Sequence, residues 1–340
     1  MRRAFIPALV MSAVLLGGSA VHAQEGKLAE VQARGSLICG VNGGLPGFSL
    51  LAEDGTWSGF DVDFCRALAA AVLGDADAVE FRPLGTDDRG PALQLGEIDV
   101  LIRNTTWTLT RDAQWGHFGP TTFYDGQGIM VHAESGAETL EDLAGATICV
   151  QSGTTTELNL TDQFRARDIE FSAQVYTDIE ETYTTYEEGR CDAVTSDLSQ
   201  LAARKTTFSD PDAHVILDAV LSKEPLGPVA PFGDEQWFTI VKWVTFATIE
   251  AEELGITDEN VAEMVETSED PVVRRFLGVE GELGSLIGLE NDFVVDVISA
   301  VGNYRAIFAR NIGTDTPLGL SRGVNSLWTD GGLLYSPPFR

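Results

Sequence analysis

The stretch IDVLIRNTTWTLTRD, residues 98–112, leads from a short apolar run directly into four threonines that stand between two arginines. The apolar run is typical of a buried strand, so the threonines and Arg111 follow its carboxyl end. Ligands of open α/β sheets collect at this end of the strands, and a guanidinium is a planar fork that pairs with a carboxylate. The stretch is therefore either half of an anion-binding site or an exposed threonine-rich turn with a surface arginine.

Short apolar runs alternate with helical patterns on both sides of this stretch, which favours an α/β fold of two units with mainly parallel sheets and a cleft between them. The first unit has predicted strands LICGV (37–41), VEFRPL (79–84) and DVLIR (99–103), with helices beginning near Asp61 and Arg89. The second has TICVQ (147–151), AQVY (173–176) and CDAVT (191–195), with helices beginning near Thr155, Ile179 and Leu198. After Pro225 the chain turns strongly helical.

A second polar stretch, QSGTTTELNL (151–160), follows a predicted strand of the second unit. Thr154 precedes Glu157 by three residues, the capping-box spacing that predicts a helix start. A helix N-terminus presents unpaired N–H groups and the positive end of its dipole, so it can receive an anion. The same spacing is also that of an ordinary cap, which binds nothing.

A third stretch, GRCDAVTSDLSQ (189–200), places Asp197 at another strand end of the second unit. Its carboxylate can accept hydrogen bonds from an ammonium group. It can also cap the helix that begins at Leu198, and the two roles are compatible.

The N-terminal residues have the pattern of a secretory signal peptide, with Arg2 and Arg3 ahead of an apolar run and VHA ending at Ala23. We expect residues 1–23 to be removed and the product to be periplasmic, soluble and not lipid-anchored, because no cysteine stands at the cleavage point. The net charge of -30 becomes -32 without those two arginines. Such a charge disfavours nucleic acid and anionic membrane surfaces as partners.

Four cysteines lie in the exported part, where disulfides are permitted. Cys39 lies in a predicted strand and Cys65 on the face of the helix expected to cover it, while Cys149 and Cys191 lie in two strands of the second unit. We predict the pairs Cys39–Cys65 and Cys149–Cys191, with four buried free thiols as the alternative. The absence of a CxxC spacing and the scarcity of histidine disfavour a metal site, and no cofactor is expected.

The sequence resembles the polar and general L-amino acid binding proteins that feed ABC importers, and within them the general amino acid subgroup. The resemblance runs from about Gly35 to Arg340. It is carried by blocks in one order: CGVNGGLPGFS (39–49), WSGFDVDFCRA (57–67), RNTTWTLTRD (103–112), FYDGQGIMV (123–131), SGTTTELNL (152–160), GRCDAVTSD (189–197), LSKEPLGP (221–228) and TPLGLSRGVNSLW (316–328).

The resemblance implies the two-lobed periplasmic binding protein type II fold, also called a Venus flytrap, with a helical C-terminal extension. It implies a first lobe in residues 27–128, a second lobe in 132–224, and a return to the first lobe plus the extension in 230–340. The chain would cross between the lobes near GIMVHA and return near EPLGPVAP.

Roles for individual residues also follow from the resemblance. The arginine at the position of Arg111 grips the α-carboxylate, assisted by hydroxyl and amide groups at Thr106 and Thr155. The aspartate at the position of Asp197 holds the α-ammonium, and Asn104 belongs to the same ligand-binding set. Burying both charges is tolerable because each finds an opposite partner.

Side-chain selectivity is implied by three further positions. Relatives dedicated to aspartate and glutamate have an arginine that aligns with Asn42, and a serine and an arginine that align with Thr86 and Arg89. A histidine used by those relatives falls near Ile179. A chain that keeps Thr86 and Arg89 but carries Asn42 is expected to receive acidic and amide side chains without a strict demand for negative charge.

The function implied is that of a non-enzymatic periplasmic component of an ABC importer, with broad specificity that includes glutamate, glutamine, aspartate and asparagine. Ligand favours the closed form because only closure lets both lobes touch one molecule, and the closed form docks on an inner-membrane permease. The alternative is an enzyme of the same fold, such as a dehydratase of small organic acids, with Glu157 and Glu180 as candidate general acids or bases.

Overall fold

Fifteen strands and thirteen α-helices are present in the part of the chain that the computed structural model describes, residues 26–340. The signal peptide expected in residues 1–23 lies outside these residues. The strands are β1 (Leu37–Val41), β2 (Gly44–Leu45), β3 (Ser49–Leu51), β4 (Trp57–Ser58), β5 (Val79–Pro83), β6 (Val100–Leu101), β7 (His117–Phe118), β8 (Phe123–Asp125), β9 (Gln127–His132), β10 (Thr147–Gln151), β11 (Ser172–Tyr176), β12 (Ala193–Asp197), β13 (His214–Ile216), β14 (Glu224–Leu226) and β15 (Val229–Ala230). The helices are α1 (Lys27–Arg34), α2 (Phe60–Leu73), α3 (Arg89–Gln94), α4 (Leu109–Gln114), α5 (Thr155–Ala166), α6 (Ile179–Glu187), α7 (Leu198–Lys205), α8 (Glu235–Glu253), α9 (Val261–Thr267), α10 (Pro271–Phe276), α11 (Leu283–Ile287), α12 (Phe293–Val301) and α13 (Tyr304–Asn311).

Each of the two lobes is built on a five-stranded sheet, in the order β5-β1-β6-β15-β7 in the first lobe and β11-β10-β12-β9-β13 in the second. Four of the five strands in each sheet run in one direction, as expected for mainly parallel sheets, whereas β15 and β9 run antiparallel to both of their neighbours. Each of these two strands enters its sheet from the cleft side, directly after the chain has crossed from the other lobe. The remaining central strands end at the cleft, so their carboxyl ends supply its walls.

The two crossings are tied together by an antiparallel pair, β8 with β14, in which Asp125 stands opposite Glu224 and Phe123 opposite Leu226. We call this pair the hinge. It brings two carboxylates to the base of the cleft, and the site depends on both.

The predicted helix starts are confirmed at α2, α3, α5, α6 and α7. The cap that begins α5 is also confirmed, since the hydroxyl of Thr154 accepts a hydrogen bond from the N–H of Glu157 at 3.0 Å. Both disulfide pairs form as expected and no free cysteine remains in the described chain. Cys39–Cys65 ties β1 to α2, and Cys149–Cys191 ties β10 to the start of the segment that leads into β12.

The helical C-terminal region packs on the first lobe and enlarges its core. Helices α8, α12 and α13 share one apolar cluster with α2, in which the rings of Phe60 and Tyr304 lie 5.8 Å apart. Within residues 26–340 no helix combines the length and the apolar character needed to cross a bilayer.

Candidate ligand-binding site

A small cavity lies between the lobes, where the strand ends of both sheets meet. Of the eight predicted ligand-binding residues, all but Asn42 line it. Its lining is Thr86, Arg89, Arg103, Asn104, Thr106, Arg111, Gln151, Thr154, Thr155, Thr156, Ser196, Asp197 and Gln200. All thirteen of these side chains are polar or charged, so the cavity suits a small charged or strongly polar molecule.

Arg111 is held by the helix that the threonine-rich stretch forms. The hydroxyl of Thr108 caps α4 by accepting from the N–H of Arg111, and one guanidinium nitrogen of Arg111 donates to the carbonyl of Thr106 at 3.1 Å. The guanidinium also lies 5.0 Å from the ring centre of Trp115. Its other N–H groups have no hydrogen bond to residues 26–340, so a buried cation is left with donors for an anion. Burial lowers the pKa of Arg111, and the charges of Glu224 and Asp197 oppose that shift.

The N-terminus of α5 faces Arg111 from the second lobe. The hydroxyl of Thr155 donates to the carboxylate of Glu224 at 2.8 Å and lies 3.5 Å from the hydroxyl of Thr106. A hydroxyl has one proton, so this donation leaves the backbone N–H of Thr155 as its donor for an anion. This N–H is one of the unpaired groups of a helix start, where the dipole also favours negative charge.

Asp197 supplies the opposite charge. It occupies the N-cap position of α7, yet its side chain makes no capping hydrogen bond. The hinge caps this helix instead, because Asp125 accepts from the N–H of Ser199 at 3.2 Å and the carbonyl of Gly126 accepts from the N–H of Leu198 at 2.8 Å. Asp197 therefore stands at the N-cap position, as the capping alternative predicts. Its carboxylate does not cap the helix, however, and has no hydrogen-bond partner within residues 26–340.

The electrostatic surroundings of Asp197 favour a cationic ligand group. Burial raises the pKa of Asp197 well above its ordinary value, the nearby carboxylates of Asp125 and Glu224 raise it further, and Arg111 and Arg89 oppose the shift. Burial is also the main reason that the pKa of Asp125 rises to about 6. An ammonium group placed among these carboxylates would offset their mutual repulsion and their desolvation.

Thr86 and Arg89 line another part of the cavity. The guanidinium of Arg89 donates to the carbonyl of Thr86 at 3.0 Å, and the hydroxyl of Thr86 is buried without a hydrogen-bond partner in the described chain. Burial, with the charges of Arg103 and Arg111, lowers the pKa of Arg89. Buried polar groups are normally paired, so this part of the cavity invites an acidic or amide group.

Asn42 and Ile179 lie outside the cavity lining. The amide of Asn42 donates to the side-chain oxygen of Asn104 at 3.4 Å, and the amide of Asn104 donates across the cleft to Gln200 at 3.1 Å. Ile179 packs against an apolar cluster of the second lobe. The described residues contain no group of three or more metal-ligating side chains that could hold an ion.

Sequence reasoning missed Glu224, Asp125, Trp115 and Gln200. Glu224 is 1 % exposed and accepts from Asn159 and Ser222 besides Thr155, so it fixes α5 to the hinge. The sequence feature that could have indicated the role of Glu224 is the acidic residue in LSKEPLGP, the short segment by which the chain returns to the first lobe.

Trp115 fills the space beside Gly90 and lies near the guanidinium groups of both Arg89 and Arg111.

Comparison with known proteins gives one consistent result. Residues 37–224 match the family described as bacterial extracellular solute-binding proteins, family 3. The chain is 48% identical to the general L-amino acid-binding periplasmic protein AapJ of Rhizobium johnstonii, over 100% of both chains. It is 45% identical to the glutamate/glutamine/aspartate/asparagine-binding protein BztA of Rhodobacter capsulatus, over 100% of this chain and 99% of the other. A solved periplasmic binding protein from Brucella ovis, with glutathione bound, is 48% identical with a TM-score of 0.91 and covers 93% of this chain and 99% of its own.

Proposed function

This chain belongs to family 3 of the bacterial extracellular solute-binding proteins, and on that premise we propose that it is the periplasmic substrate-binding component of an ABC importer for L-amino acids. One observation carries the proposal. A buried guanidinium with free donors, that of Arg111, and a buried unpaired carboxylate, that of Asp197, face one small cavity from opposite lobes. The α-carboxylate and α-ammonium of an amino acid supply the two missing partners.

The ligand-binding set that we propose has three parts. Arg111, Thr106 and the N–H of Thr155 bind the α-carboxylate. Asp197 binds the α-ammonium. Thr86 and Arg89 receive the side chain, with Asn104 and Asn42 bordering it from the first lobe.

Broad specificity follows from the part of the cavity near Thr86. A hydroxyl both donates and accepts, so it can pair with a carboxylate or with a carboxamide, whereas Arg89 favours an oxygen acceptor. The similar protein AapJ is named for general L-amino acids, and BztA is named for glutamate, glutamine, aspartate and asparagine. We therefore propose glutamate, glutamine, aspartate and asparagine as ligands.

Transport would use closure of the two lobes, residues 27–128 with 230–340 on one side and 132–224 on the other. The ligand favours the closed form because Arg111 and Asp197 reach one molecule together only when the lobes meet. We call this contact of one ligand with both lobes the cross-cleft grip. The closed form would then present ligand to an inner-membrane permease. Hinge rotation about β8 and β14 is the simplest motion that separates the two groups.

An enzyme on this fold is disfavoured by the surroundings of its two candidate acids. Glu157 accepts from the N–H of Gly153 at the start of α5, and Glu180 pairs with Arg204 at 2.6 Å. Neither lines the cavity. A general acid or base must reach the proton that it transfers, and these two do not face the enclosed ligand space.

The test is calorimetric titration of the mature protein, unfolded and refolded to remove carried ligand, with the twenty L-amino acids and D-glutamate. We expect binding of the four acidic and amide amino acids at micromolar affinity or tighter, about -8 kcal/mol or below, and much weaker binding of D-glutamate. If no L-amino acid binds while small organic acids do, the proposal is wrong and the enzyme alternative gains support.

A further inference from the structure

Arg103, the first arginine of the stretch RNTTWTLTRD, lines the ligand cavity and has no role in the binding set proposed above. It is 6 % exposed, and its Nε donates to the carbonyl of Leu84 at 2.9 Å. Its two terminal nitrogens make no hydrogen bond to a group within residues 26–340. A buried guanidinium with unshared N–H groups lacks acceptors, and the cavity is the space that it borders.

The side chain of Arg103 runs toward the part of the cavity that Thr86 and Arg89 line. Strand β1 lies between β5 and β6 in the sheet, Leu84 follows β5, and Arg103 follows β6. The hydrogen bond to Leu84 therefore takes this side chain across the carboxyl end of β1, to the segment that leads to Thr86. After burial, the charge of Arg103 lowers the pKa of Arg89 most, ahead of the charge of Arg111, as expected of the nearer guanidinium.

The charges that line the cavity exceed what the head of an amino acid can pair. Three guanidinium groups, those of Arg89, Arg103 and Arg111, stand against one carboxylate, that of Asp197. In the proposed function the head pairs Arg111 with its carboxylate and Asp197 with its ammonium. Two cations then remain in the wall, and a negative group on the ligand side chain can pair with them.

Asp61 supplies a counter-charge to Arg103 from outside the cavity lining. It lies in the first turn of α2, is 4 % exposed, and accepts from the N–H of Asn104, the neighbour of Arg103, at 3.0 Å. Asn104 has a left-handed φ of 25°, a conformation that costs free energy unless contacts such as this one hold it. Burial lowers the pKa of Arg103 to about 10, and the charge of Asp61 is the main one that opposes this shift.

Asp61 changes its charge near neutral pH. Burial raises its pKa to about 7, while the N–H of Asn104 and the charge of Arg103 oppose the shift. Strands β1, β3 and β4, which pack against α2, carry no charged side chain. Within the described chain, no charged group of α1, α8, α12, α13 or β5, which also pack against α2, contributes to this pKa. The compensation of Arg103 is therefore largest at alkaline pH and is lost as the pH falls through the pKa of Asp61.

Resting on the proposed function, we propose that Arg103 is a specificity-determining residue, which binds the side-chain carboxylate of an acidic L-amino acid, and that Asp61 is a positioning residue, which limits this preference so that amides bind as well. Thr86 and Arg89 receive the same ligand side chain. When Asp61 is ionised, a neutral carboxamide beside Arg103 leaves the guanidinium with a counter-charge. When Asp61 is protonated, only an acidic ligand supplies one.

The test is the ratio of L-glutamate to L-glutamine affinity, measured by calorimetry at pH 8 on the refolded, ligand-free mature protein. The two ligands have nearly the same shape and differ in side-chain charge. Arg103→Gln should weaken L-glutamate at least about tenfold and L-glutamine less than about threefold, so the ratio falls. Arg103→Lys, which keeps the charge without the planar fork, should retain part of the ratio. The matched control is Arg82→Gln, at an ion-paired arginine of the edge strand β5, which should keep the wild-type ratio.

Asp61→Asn tests the second half of the proposal. The asparagine keeps an oxygen that accepts from the N–H of Asn104 and loses the charge, so the ratio at pH 8 should rise at least about threefold. In wild type the ratio should rise by a similar factor as the pH is lowered from 8 to 6, because Asp61 becomes protonated, and in Asp61→Asn it should stay flat. Asp197 does not enter the ratio, since both ligands carry the same ammonium group. Asp77→Asn, at a carboxylate whose side chain is 89% exposed, is the matched control.

The outcomes separate this inference from the proposed function. An unchanged ratio in an Arg103→Gln protein that still binds L-glutamate overturns the role of Arg103 alone. An equal loss of both ligands shows that Arg103 is only a structural contact, and also overturns it. If Arg103→Gln does not fold, Asp61→Asn decides, because a rise of the ratio supports the proposal and no change or a fall overturns it. A wild type that binds no L-amino acid overturns both proposals.

Discussion

Thr106 of the first lobe and Thr155 of the second face each other across the cleft with their hydroxyl oxygens 3.5 Å apart. We propose that a ligand carboxylate meets both lobes at this place. The Thr155 hydroxyl donates its proton to Glu224, so the backbone N–H of Thr155 is the donor that remains for the ligand.

Substitutions at Thr155 separate these two groups. Thr155→Val removes the hydroxyl and keeps the N–H, so ligand affinity should fall by less than about tenfold, with some loss of stability from the lost donor to Glu224. Thr155→Pro removes both groups at the first helical position, which proline tolerates, and Thr154 already has the extended backbone that precedes proline. We expect calorimetry to show a further loss of about tenfold or more in Thr155→Pro. Equal affinities for the two variants would show that the N–H does not bind the ligand.

Affinity should depend on pH through Asp197. Burial raises its pKa, so lowering the pH protonates it before an ordinary aspartate would be protonated, and the protonated form cannot pair with an ammonium group. Affinity should therefore be constant at high pH and fall, by up to about tenfold per pH unit, as the pH drops through that raised pKa. Calorimetry from pH 8 to pH 4.5 measures the slope.

Two variants define the origin of that slope. Asp197→Asn should weaken binding at pH 8 by at least about thirtyfold and flatten the pH profile. Asp212→Asn, at an exposed carboxylate of the same lobe, should behave as wild type. A slope that survives in Asp197→Asn would assign the titration to another group.

Gly90→Ala tests whether Trp115 positions the arginines. A Cβ at residue 90 would lie 2.8 Å from the indole of Trp115, so the ring must move away from the guanidinium groups of Arg89 and Arg111. Ligand affinity should fall by about tenfold, although helix propensity alone predicts stabilisation by about 1 kcal/mol. Adding Trp115→Phe to Gly90→Ala should restore part of the affinity, because the smaller ring leaves room. Wild-type affinity in Gly90→Ala would argue against this role.

The disulfides should act on stability and not on ligand affinity. Cys39→Ala with Cys65→Ala opens a loop of 26 residues, and Cys149→Ala with Cys191→Ala one of 42 residues. Chain entropy predicts a loss of about 3 to 4 kcal/mol of unfolding free energy for each pair. Urea denaturation measures it. A loss of ligand affinity without a loss of stability would contradict a purely structural role.

Local features of the fold were predictable from local signals. The cap at Thr154 and the helix starts depend on residues within one turn of each other, and the structure has them where the patterns predict. Two strand ends differ from the prediction by two residues, since β6 ends at Leu101 and β12 ends at Asp197. The antiparallel entries of β9 and β15 were not predictable, because their direction is set by where the chain crosses the cleft. The region predicted to be helical after Pro225 also contains a break between α12 and α13, since Gly302 has φ 72° and Asn303 caps a new helix.

Parts of the candidate site depend on contacts with no local signal. Glu224 meets Thr155 across 69 residues, and Asp125 caps a helix 74 residues further along the chain. The second contact decides the state of Asp197, because it leaves that carboxylate free of the capping role. The sequence allows two roles for Asp197, binding of an ammonium group and capping of α7. The packing of the hinge against α7 decides between them.

The measurement that tests the central claim most directly is titration of Arg111→Ala with L-glutamate and L-glutamine, beside Arg82→Ala. Arg82 is an ion-paired arginine on the edge strand β5 of the same lobe. We expect Arg111→Ala to weaken both ligands at least about thirtyfold, since it removes one partner of a buried charge pair, and Arg82→Ala to bind as wild type does. If Arg111→Ala binds both ligands with wild-type affinity while remaining folded, the α-carboxylate is held elsewhere and the cross-cleft grip is wrong.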